Sequence, residues 1–330
     1  MDFPLTDQPL VTVVSPLYNG ERYVPILIDC MRAQTWTNWR YVIVDNHSTD
    51  GTNQAAQDCI GEDSRITLVR NPETYGVIKN HNVAFDQVTA DCTWFRFLQA
   101  DDVLTADCLQ RSIELGEKHP RVGVVGSWLQ WGDEVTSNQF PEGVNFFSGR
   151  EVSRRTLLGE VYPFLTPSAL LWRMAAVRHR PTFFDERYLY SDVMACYEVL
   201  REWDFGVVNV VLTDVGRDEA SVTNRVTKSF NKLLGSNLHL FTRYGREVLD
   251  DAAYQTRLEQ RLADYYAYLG RSLFERREPE FWAFHRDMFA QCGLPLDRTR
   301  VRASAMEQLR DQPRWMLSML VKSFLPQGKS

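Results

Sequence analysis

The chain has 330 residues, enough for one large domain or two smaller ones. Its 44% hydrophobic and 24% charged residues are ordinary for a globular protein, and a formal net charge of −6 argues against a nucleic-acid binder, which is usually basic. Six scattered cysteines with no Cys-x-x-Cys pair read as reduced structural thiols rather than a zinc or disulfide framework. No basic-then-apolar leader opens the sequence, and no apolar run approaches the roughly 18 residues of a membrane span. The expectation is a cytoplasmic protein.

The predicted elements alternate along the first third of the chain. Residues 10–15 form a β-branched strand, stopped by Pro16 and by Asn19-Gly20. Residues 21–34 have helical spacing, with Tyr23, Ile26, Leu27, Cys30 and Met31 close to one stripe. Residues 41–44 are a second buried strand that ends in Asp45. Turn and N-cap residues fill 46–52, and a helix is expected over 52–60. A third strand covers 66–69, a helix 76–88, a fourth strand 94–98 and a helix 105–118. Strands alternating with helices predict a parallel sheet with right-handed crossovers.

The stretch 94–104 organises the rest. Its apolar half, Trp94 to Leu98, reads as a strand covered on both faces, and it runs out into the adjacent carboxyls of Asp101 and Asp102. Open α/β sheets bind their ligands outside the carboxyl ends of the strands. Two acids there suit a hard divalent cation, Mg²⁺ or Mn²⁺, able to neutralise a leaving diphosphate. The competing reading is that one of them only caps the helix over 105–118. The turn at 16–23 has neither the Gly-x-Gly-x-x-Gly of a dinucleotide-binding unit nor the Gly-Lys-Ser/Thr of a P-loop.

Four stretches in order, 11–19, 44–52, 76–82 and 97–104, resemble the successive motifs of the family 2 glycosyltransferases of GT-A fold. Val14-Ser15-Pro16-Leu17-Tyr18-Asn19 is similar to the family's opening motif. Val44-Asp45-Asn46-His47-Ser48-Thr49-Asp50-Gly51-Thr52 resembles its V-D-(D/N)-x-S-x-D-G-T. The resemblance is dense over the first 105 residues and looser to about Thr223. It implies an α/β GT-A domain over 1–226, with a nucleotide-sugar half (1–105) and an acceptor half (106–226). A helical C-terminal region over 227–330 would follow.

The resemblance also implies roles. Pro16 and Tyr18 would line the base pocket, and Asp45 would accept from a base imide, favouring UDP- or dTDP-linked sugars. Lys79 and Asn82 would lie near the nucleotide, with His81 where an arginine is commoner. Asp101 would touch the metal, with Asp102 as a second ligand, a hydrogen-bonding group or a cap. Gln99 stands where family members often carry a further acid, so it brings no charge to the ion.

In the second half, residues 122–129 read as a strand, 132–148 as a polar loop, 151–159 as a helix and 205–212 as a further strand. Asp192, at the start of a helix over 193–202, matches the family's general base, with Ser191 in place of the usual glutamate. There a helix N-terminus would lower the carboxyl pKa and the bulk of Tyr188, Leu189 and Tyr190 would offset it. Asp192 as a mere N-cap is the alternative. Asp218 stands where many members carry a histidine, as a further metal ligand or a plain loop acid.

Beyond Lys228 the resemblance fades into helices over 230–249, 254–275 and 279–291. The tail 310–329 suits either an interfacial helix on anionic lipid or a helix docked on the protein's own core. The implied function is an inverting glycosyltransferase using a nucleotide-diphosphate sugar and acting on a glycan or lipid-linked acceptor, in polysaccharide or glycolipid assembly. The competing class is a catalytically inactive nucleotide-sugar-binding module.

Overall fold

The computed structural model describes residues 8–216, 231–275 and 277–311. The chain divides into two compact units, Met1–Asp218 and Glu219–Ser330.

The first unit is built on a mostly parallel sheet. Strands β1 (Val11–Leu17), β2 (Trp39–Asp45), β3 (Ile66–Arg70) and β4 (Trp94–Phe97) alternate with helices α1 (Val24–Arg32), α2 (Thr52–Ile60) and α3 (Val77–Phe85). After the two-residue strand β5 (Val103–Leu104) come α4 (Cys108–Lys118), β6 (Val122–Trp131), β7 (Glu134–Thr136), β8 (Phe146–Phe147) and α5 (Gly149–Leu158). A 3₁₀ turn over Pro167–Ala169 leads into β9 (Leu170–Arg173), then α6 (Met174–Val177), α7 (Ser191–Leu200) and β10 (Asp204–Asp214).

The strand order is β3-β2-β1-β4-β9-β6-β10-β5, with β7 added to β6 and β8 to β10. β1 pairs in parallel with both β2 and β4. β9 runs antiparallel between β4 and β6, and β10 is again parallel to β6. The carboxyl ends of β1, β2, β3, β4, β6 and β10 therefore share one edge. The order turns at β1: β2 and β3 lie to one side and β4 to the other, which places the switch-point crevice beside the ends of β1 and β4.

The core explains the unbroken apolar runs. Val11, Val13, Val14, Leu17, Tyr41, Ile43, Val44, Phe95 and Phe97 are fully buried, as strands covered by helices on both faces must be. Trp94 packs so tightly on α4 that a Cβ at Gly116 would lie 2.4 Å from its ring. Only glycine fits there.

Two expectations change. The polar segment 132–148 contributes two short strands: Gln130 and Trp131 pair antiparallel with Val135 and Glu134, and Phe147 is buried against the Phe140 ring 4.2 Å away. The helix expected from residue 105 starts at Cys108, with β5 before it and Asp107 at its N-cap. Neither Asp101 nor Asp102 caps it.

The second unit is helical: α8 (Lys232–Val248), α9 (Asp251–Ser272), α10 (Pro279–Gln291) and α11 (Arg298–Asp311). Asp250 caps α9 by accepting from the Ala253 N–H at 2.8 Å. α11, which no periodicity announced, begins where Asp297 accepts from the N–H groups of Thr299 and Arg300. It packs close to α9, since a Cβ at Gly270 would meet the Ala305 nitrogen at 2.9 Å. Among the described residues no helix is long and apolar enough to cross a membrane. Asp218 and residues 312–329 of the tail lie outside the described residues.

Candidate active site

Three loops at the carboxyl edge form the candidate site, and the first two lock each other. After β1 the chain turns through Asn19 in the left-handed region (φ 51°), and after β2 it does so at His47 (φ 58°). Ser48 Oγ accepts from the Asn19 N–H at 3.0 Å, and Asn19 Oδ1 accepts from the Thr49 N–H at 2.9 Å. Thr52 Oγ1 accepts from Gly20 N–H at 2.8 Å, and Glu21 Oε2 accepts from Gly51 N–H at 3.1 Å. The Asn-Gly and Ser-x-Asp-Gly-Thr residues are thus one interlocked turn pair. Burial pushes the Asp50 carboxyl up, but hydrogen bonds from the Thr52 hydroxyl and N–H and the Glu21 N–H leave it below the usual carboxylate range.

Within this frame Tyr18 is 51% exposed while Pro16 is half-buried. Asp45 is buried, and its oxygens already serve the protein. Oδ1 accepts from the Ser48 N–H at 2.9 Å, and Oδ2 accepts from Asn53 at 3.4 Å and faces the Arg70 guanidinium at 3.3 Å. Beneath them runs a buried amide chain. Asn46 exchanges hydrogen bonds with both the N–H and the C=O of Tyr75 at 2.9 Å, and Asn71 bridges Asn46 Oδ1 and Asn80 Oδ1. This network fixes the loop before α3. There the exposed Lys79 ammonium stands 3.9 Å from the Tyr75 ring centroid.

Asn82, expected near the nucleotide, also ties α3 to a distant segment. Its side chain accepts from the Phe184 N–H at 2.8 Å and donates to the Phe184 C=O at 2.9 Å and to Glu186 at 3.3 Å. Phe183 and Phe184 pack on the β4 rings Phe95 and Phe97, with centroids 5.0 and 5.3 Å apart. The segment leading to Asp192 is thereby pinned to α3 and β4. His81, packed against Phe97 and Phe184, donates from Nδ1 to the Val77 C=O, and burial holds its pKa below the usual histidine value.

The third loop carries the acids. Asp101 is half-buried, and its backbone approaches Gly216 so closely that a Cβ at Gly216 would lie 2.2 Å from the Asp101 carbonyl oxygen. Asp102 is buried; Oδ1 accepts from the Gly216 N–H at 3.3 Å, while Oδ2 is buried without a hydrogen-bond partner. Burial pushes its carboxyl up to about 7; Ser168 and the Gly216 N–H pull it down, and Asp101 and Asp214 push it further up. An orphaned carboxylate oxygen beside a second acid fits a hard divalent cation. Among the described residues no three His, Cys, Asp or Glu side chains form a metal cage by themselves. The donors fit a cation completed by oxygens of a bound ligand.

Asp192 is half-buried at the second residue of α7, whose N-cap is Tyr190. Burial raises its carboxyl to about 6, against the N–H groups of Val193 and its own residue. The helix terminus therefore does not win: desolvation does. Nor is Asp192 the N-cap. Tyr162, 47% exposed, lies within its electrostatic reach, a neighbour that chain order gave no reason to suspect. Ser191 is buried with its hydroxyl lacking a partner.

Sequence reasoning missed Ser168, Arg70 and the Asn46–Asn71–Asn80 chain. Only their bonding partners, distant along the chain, mark them. A separate recess of about 420 Å³ lies between Trp39, Arg40, Arg65 and Asp91, at the amino-terminal edge of the sheet. Its arginines are already paired, Arg40 with Asp91 and Arg65 with Asp63, and none of the site acids reaches it.

A parallel sheet with an antiparallel β9 insertion and acids at its carboxyl edge is the architecture of the GT-A glycosyltransferases. Residues 12–180, just over half of the chain, match the model of Glycosyl transferase family 2, and the chain belongs to that family. It is 28% identical over 153 residues to TuaG of Bacillus subtilis (strain 168), a glycosyltransferase whose name assigns it provisionally to teichuronic acid biosynthesis. That match covers 46% of this chain and 60% of TuaG. It is 29% identical over 109 residues to WfgD of Escherichia coli, a UDP-Glc:alpha-D-GlcNAc-diphosphoundecaprenol beta-1,3-glucosyltransferase, covering 33% of this chain and 42% of WfgD. The chain thus spans only part of the length of these relatives.

Among solved structures, S. aureus TarS 1–349 in complex with UDP superposes with a TM-score of 0.63 at 16% identity, over 96% of this chain and 89% of that one. The Pyrobaculum calidifontis mannosyltransferase PcManGT, in complex with GDP-Man and Mn²⁺, superposes with a TM-score of 0.55 at 15% identity, over 98% and 89%. At such identities the likeness is one of fold.

Proposed function

We propose that this chain is an inverting glycosyltransferase that moves a sugar from a UDP- or dTDP-linked donor to an acceptor hydroxyl, in the assembly of a polysaccharide or glycolipid. The observation that carries the proposal is the acid edge: Asp101 and the orphaned oxygen of Asp102 stand at the carboxyl end of β4, beside the switch point. Residues 1–226 act as the transferase domain and 227–330 as a helical accessory region. The acceptor is a glycan or a lipid-linked saccharide, which suits a cytoplasmic protein with peripheral membrane contact through 310–329.

Pro16 and Tyr18 flank the base, and Asp45 accepts from its imide N–H with lone pairs beyond those already used, since a carboxylate takes about four hydrogen bonds. Lys79 faces the nucleotide, and Asn82 orders the segment next to it. Asp101 and Asp102, with Asp218 as a further candidate, hold Mg²⁺ or Mn²⁺. When bound, the cation offsets the negative charge that gathers on the leaving diphosphate.

Asp192 does the proton chemistry. With a pKa raised to about 6 it is ionised at neutral pH yet basic enough to take a proton. As Asp192 removes the acceptor hydroxyl proton, the oxygen bonds to the anomeric carbon from the face opposite the diphosphate. The carbon–oxygen bond to the diphosphate breaks, and its electron pair leaves with the nucleotide.

The test is a panel of nucleotide sugars with Mn²⁺, read first as melting temperature and then as transfer. A ligand that binds only the folded state raises that temperature. UDP- or dTDP-sugars are expected to stabilise the protein, and GDP- and ADP-sugars much less. Absence of stabilisation by any nucleotide sugar overturns the proposal. Stabilisation without transfer or hydrolysis identifies a catalytically inactive binding module.

A further inference from the structure

One peptide group decides where the acid loop points. It joins Leu98 to Gln99, the first step out of β4 toward Asp101 and Asp102. Its carbonyl oxygen accepts from the Ser15 hydroxyl at 2.6 Å, and its N–H donates to the Ser168 hydroxyl at 3.0 Å. Two serines, 153 residues apart in sequence, thus grip opposite ends of a single peptide plane. Both are fully buried.

Each serine is itself anchored. The Tyr41 hydroxyl donates to Ser15 Oγ at 2.8 Å, in the buried interior of β1 and β2. Arg96 donates to the Ser168 carbonyl at 3.0 Å, and Thr213 reaches the same oxygen at 3.4 Å. Arg96 is fully buried, and its other contacts are neutral, the Cys108 thiol at 2.8 Å and the Ser112 hydroxyl at 3.2 Å. Among the described residues it forms no ion pair, and its Nε has no partner. Burying a guanidinium among neutral groups opposes folding, so packing alone does not account for an arginine there. Holding the turn that presents Ser168 does.

We propose, resting on the transferase reading above, that Ser15 and Ser168 are positioning residues that clamp the Leu98–Gln99 peptide, with Tyr41 and Arg96 as their anchors. The clamp sets the direction in which Asp101 and Asp102 meet the cation and the nucleotide diphosphate. Serine suits both positions because one hydroxyl can accept and donate at once. Ser15 accepts from Tyr41 and donates to Leu98. Ser168 accepts from the Gln99 N–H, with the Asp102 carboxyl close by.

The test is calorimetric titration of UDP into the full chain with and without Mn²⁺, alongside melting temperatures. Ser15→Ala and Ser168→Ala are each expected to weaken the Mn²⁺-dependent part of UDP binding by about ten- to a hundredfold, the range for groups that orient metal ligands. The double variant is expected to fall short of the product of the two, because either change frees the same peptide. Tyr41→Phe keeps the ring in the core and removes only the anchor, so a smaller loss of about two- to tenfold is expected in a protein that folds as the parent does. Variants that melt earlier but bind UDP and Mn²⁺ like the parent overturn the clamp and leave the transferase reading standing. A parent that binds no UDP with Mn²⁺ overturns both.

Discussion

Strand β2 and the loop after β4 end in acids at the same edge of the same sheet, yet their carboxyl groups are treated in opposite ways. Asp45 is surrounded by Ser48, Asn53 and Arg70, each of which engages its oxygens. Asp102 has one backbone donor on Oδ1, an orphaned Oδ2, and a pKa pushed up to about 7 by burial. A carboxyl surrounded by donors holds a loop together. A buried one left short of donors disfavours its own charge until something positive arrives. Asp192 belongs with the second kind, since burial raises it to about 6. The contrast separates an acid whose oxygens are already engaged by the protein from acids raised by burial, and it can be broken.

The largest expected effect is at Asp192. Asp192→Asn keeps the size and the helix start, so donor affinity and melting temperature should stay near parental. Turnover should fall by a factor on the order of a hundred or more, as for a lost general base. Single-turnover transfer measures this. In the parent, kcat/KM should decline as pH falls below about 6, because Asp192 must be ionised to accept the proton. Near-parental turnover in the variant would put Asp192 among the structural acids and move the search to Asp185 or Glu186.

Asp101→Asn comes next. The amide removes charge from the carboxyl proposed to hold the metal, and Mn²⁺-dependent UDP binding should weaken at least by the roughly ten- to hundredfold typical of groups around a metal. Calorimetry with and without Mn²⁺ reads it. An unchanged metal dependence would remove Asp101 from the acting group.

Asp45 should behave the other way, with stability as the main loss. Asp45→Asn leaves Arg70 and the Ser48 N–H poorly matched in a buried loop, a cost of about 1–3 kcal/mol. Thermal melting should show it at roughly 2–4 °C per kcal/mol for a unit of this size. The preference for UDP over ADP should also narrow. A variant that melts like the parent would mean that the donors around Asp45 contribute little, and the contrast would lose one side.

The difference between the two loops was only half legible in the sequence. Strand and helix alternation from Val11 to Phe97 was readable because buried strands are continuous apolar runs and their turns carry Asn, Gly, Ser and Asp. The acids stood out because they fall at strand ends. What sequence cannot supply is who donates to whom. Ser168 meets Gln99 across 69 residues, and Asn82 meets Phe184 across 102. Asn82 was read as lying near the nucleotide, and nothing in the sequence showed that it also ties α3 to the Phe183–Phe184 segment. For Asp192 the sequence set a helix terminus against the bulk of Tyr188–Tyr190, and the structure shows that burial outweighs the terminus. The helix α11 was missed because it is rich in Arg, with Val301 and Ala305 among its few buried side chains.

The last test reads the buried acid through stability alone. An aspartate in an unfolded chain titrates near 4, and Asp102 in the folded protein near 7. Between those values the folded state holds a proton that the unfolded state has released. The unfolded chain binds fewer protons there, so the parent loses stability as pH rises. Below about pH 4 both states are protonated, and above about pH 8 both are ionised, so the slope vanishes at either end. Asp102→Asn has nothing to titrate at this position. Its melting temperature relative to the parent should therefore climb by on the order of ten degrees between about pH 4 and 8 and then stay level. Mn²⁺ with UDP should close the gap by stabilising the parent at neutral pH, because the ligand supplies the positive charge the buried carboxylate lacks. A difference that does not vary with pH would mean that Asp102 is as well satisfied as Asp45, and the two loops would then be alike.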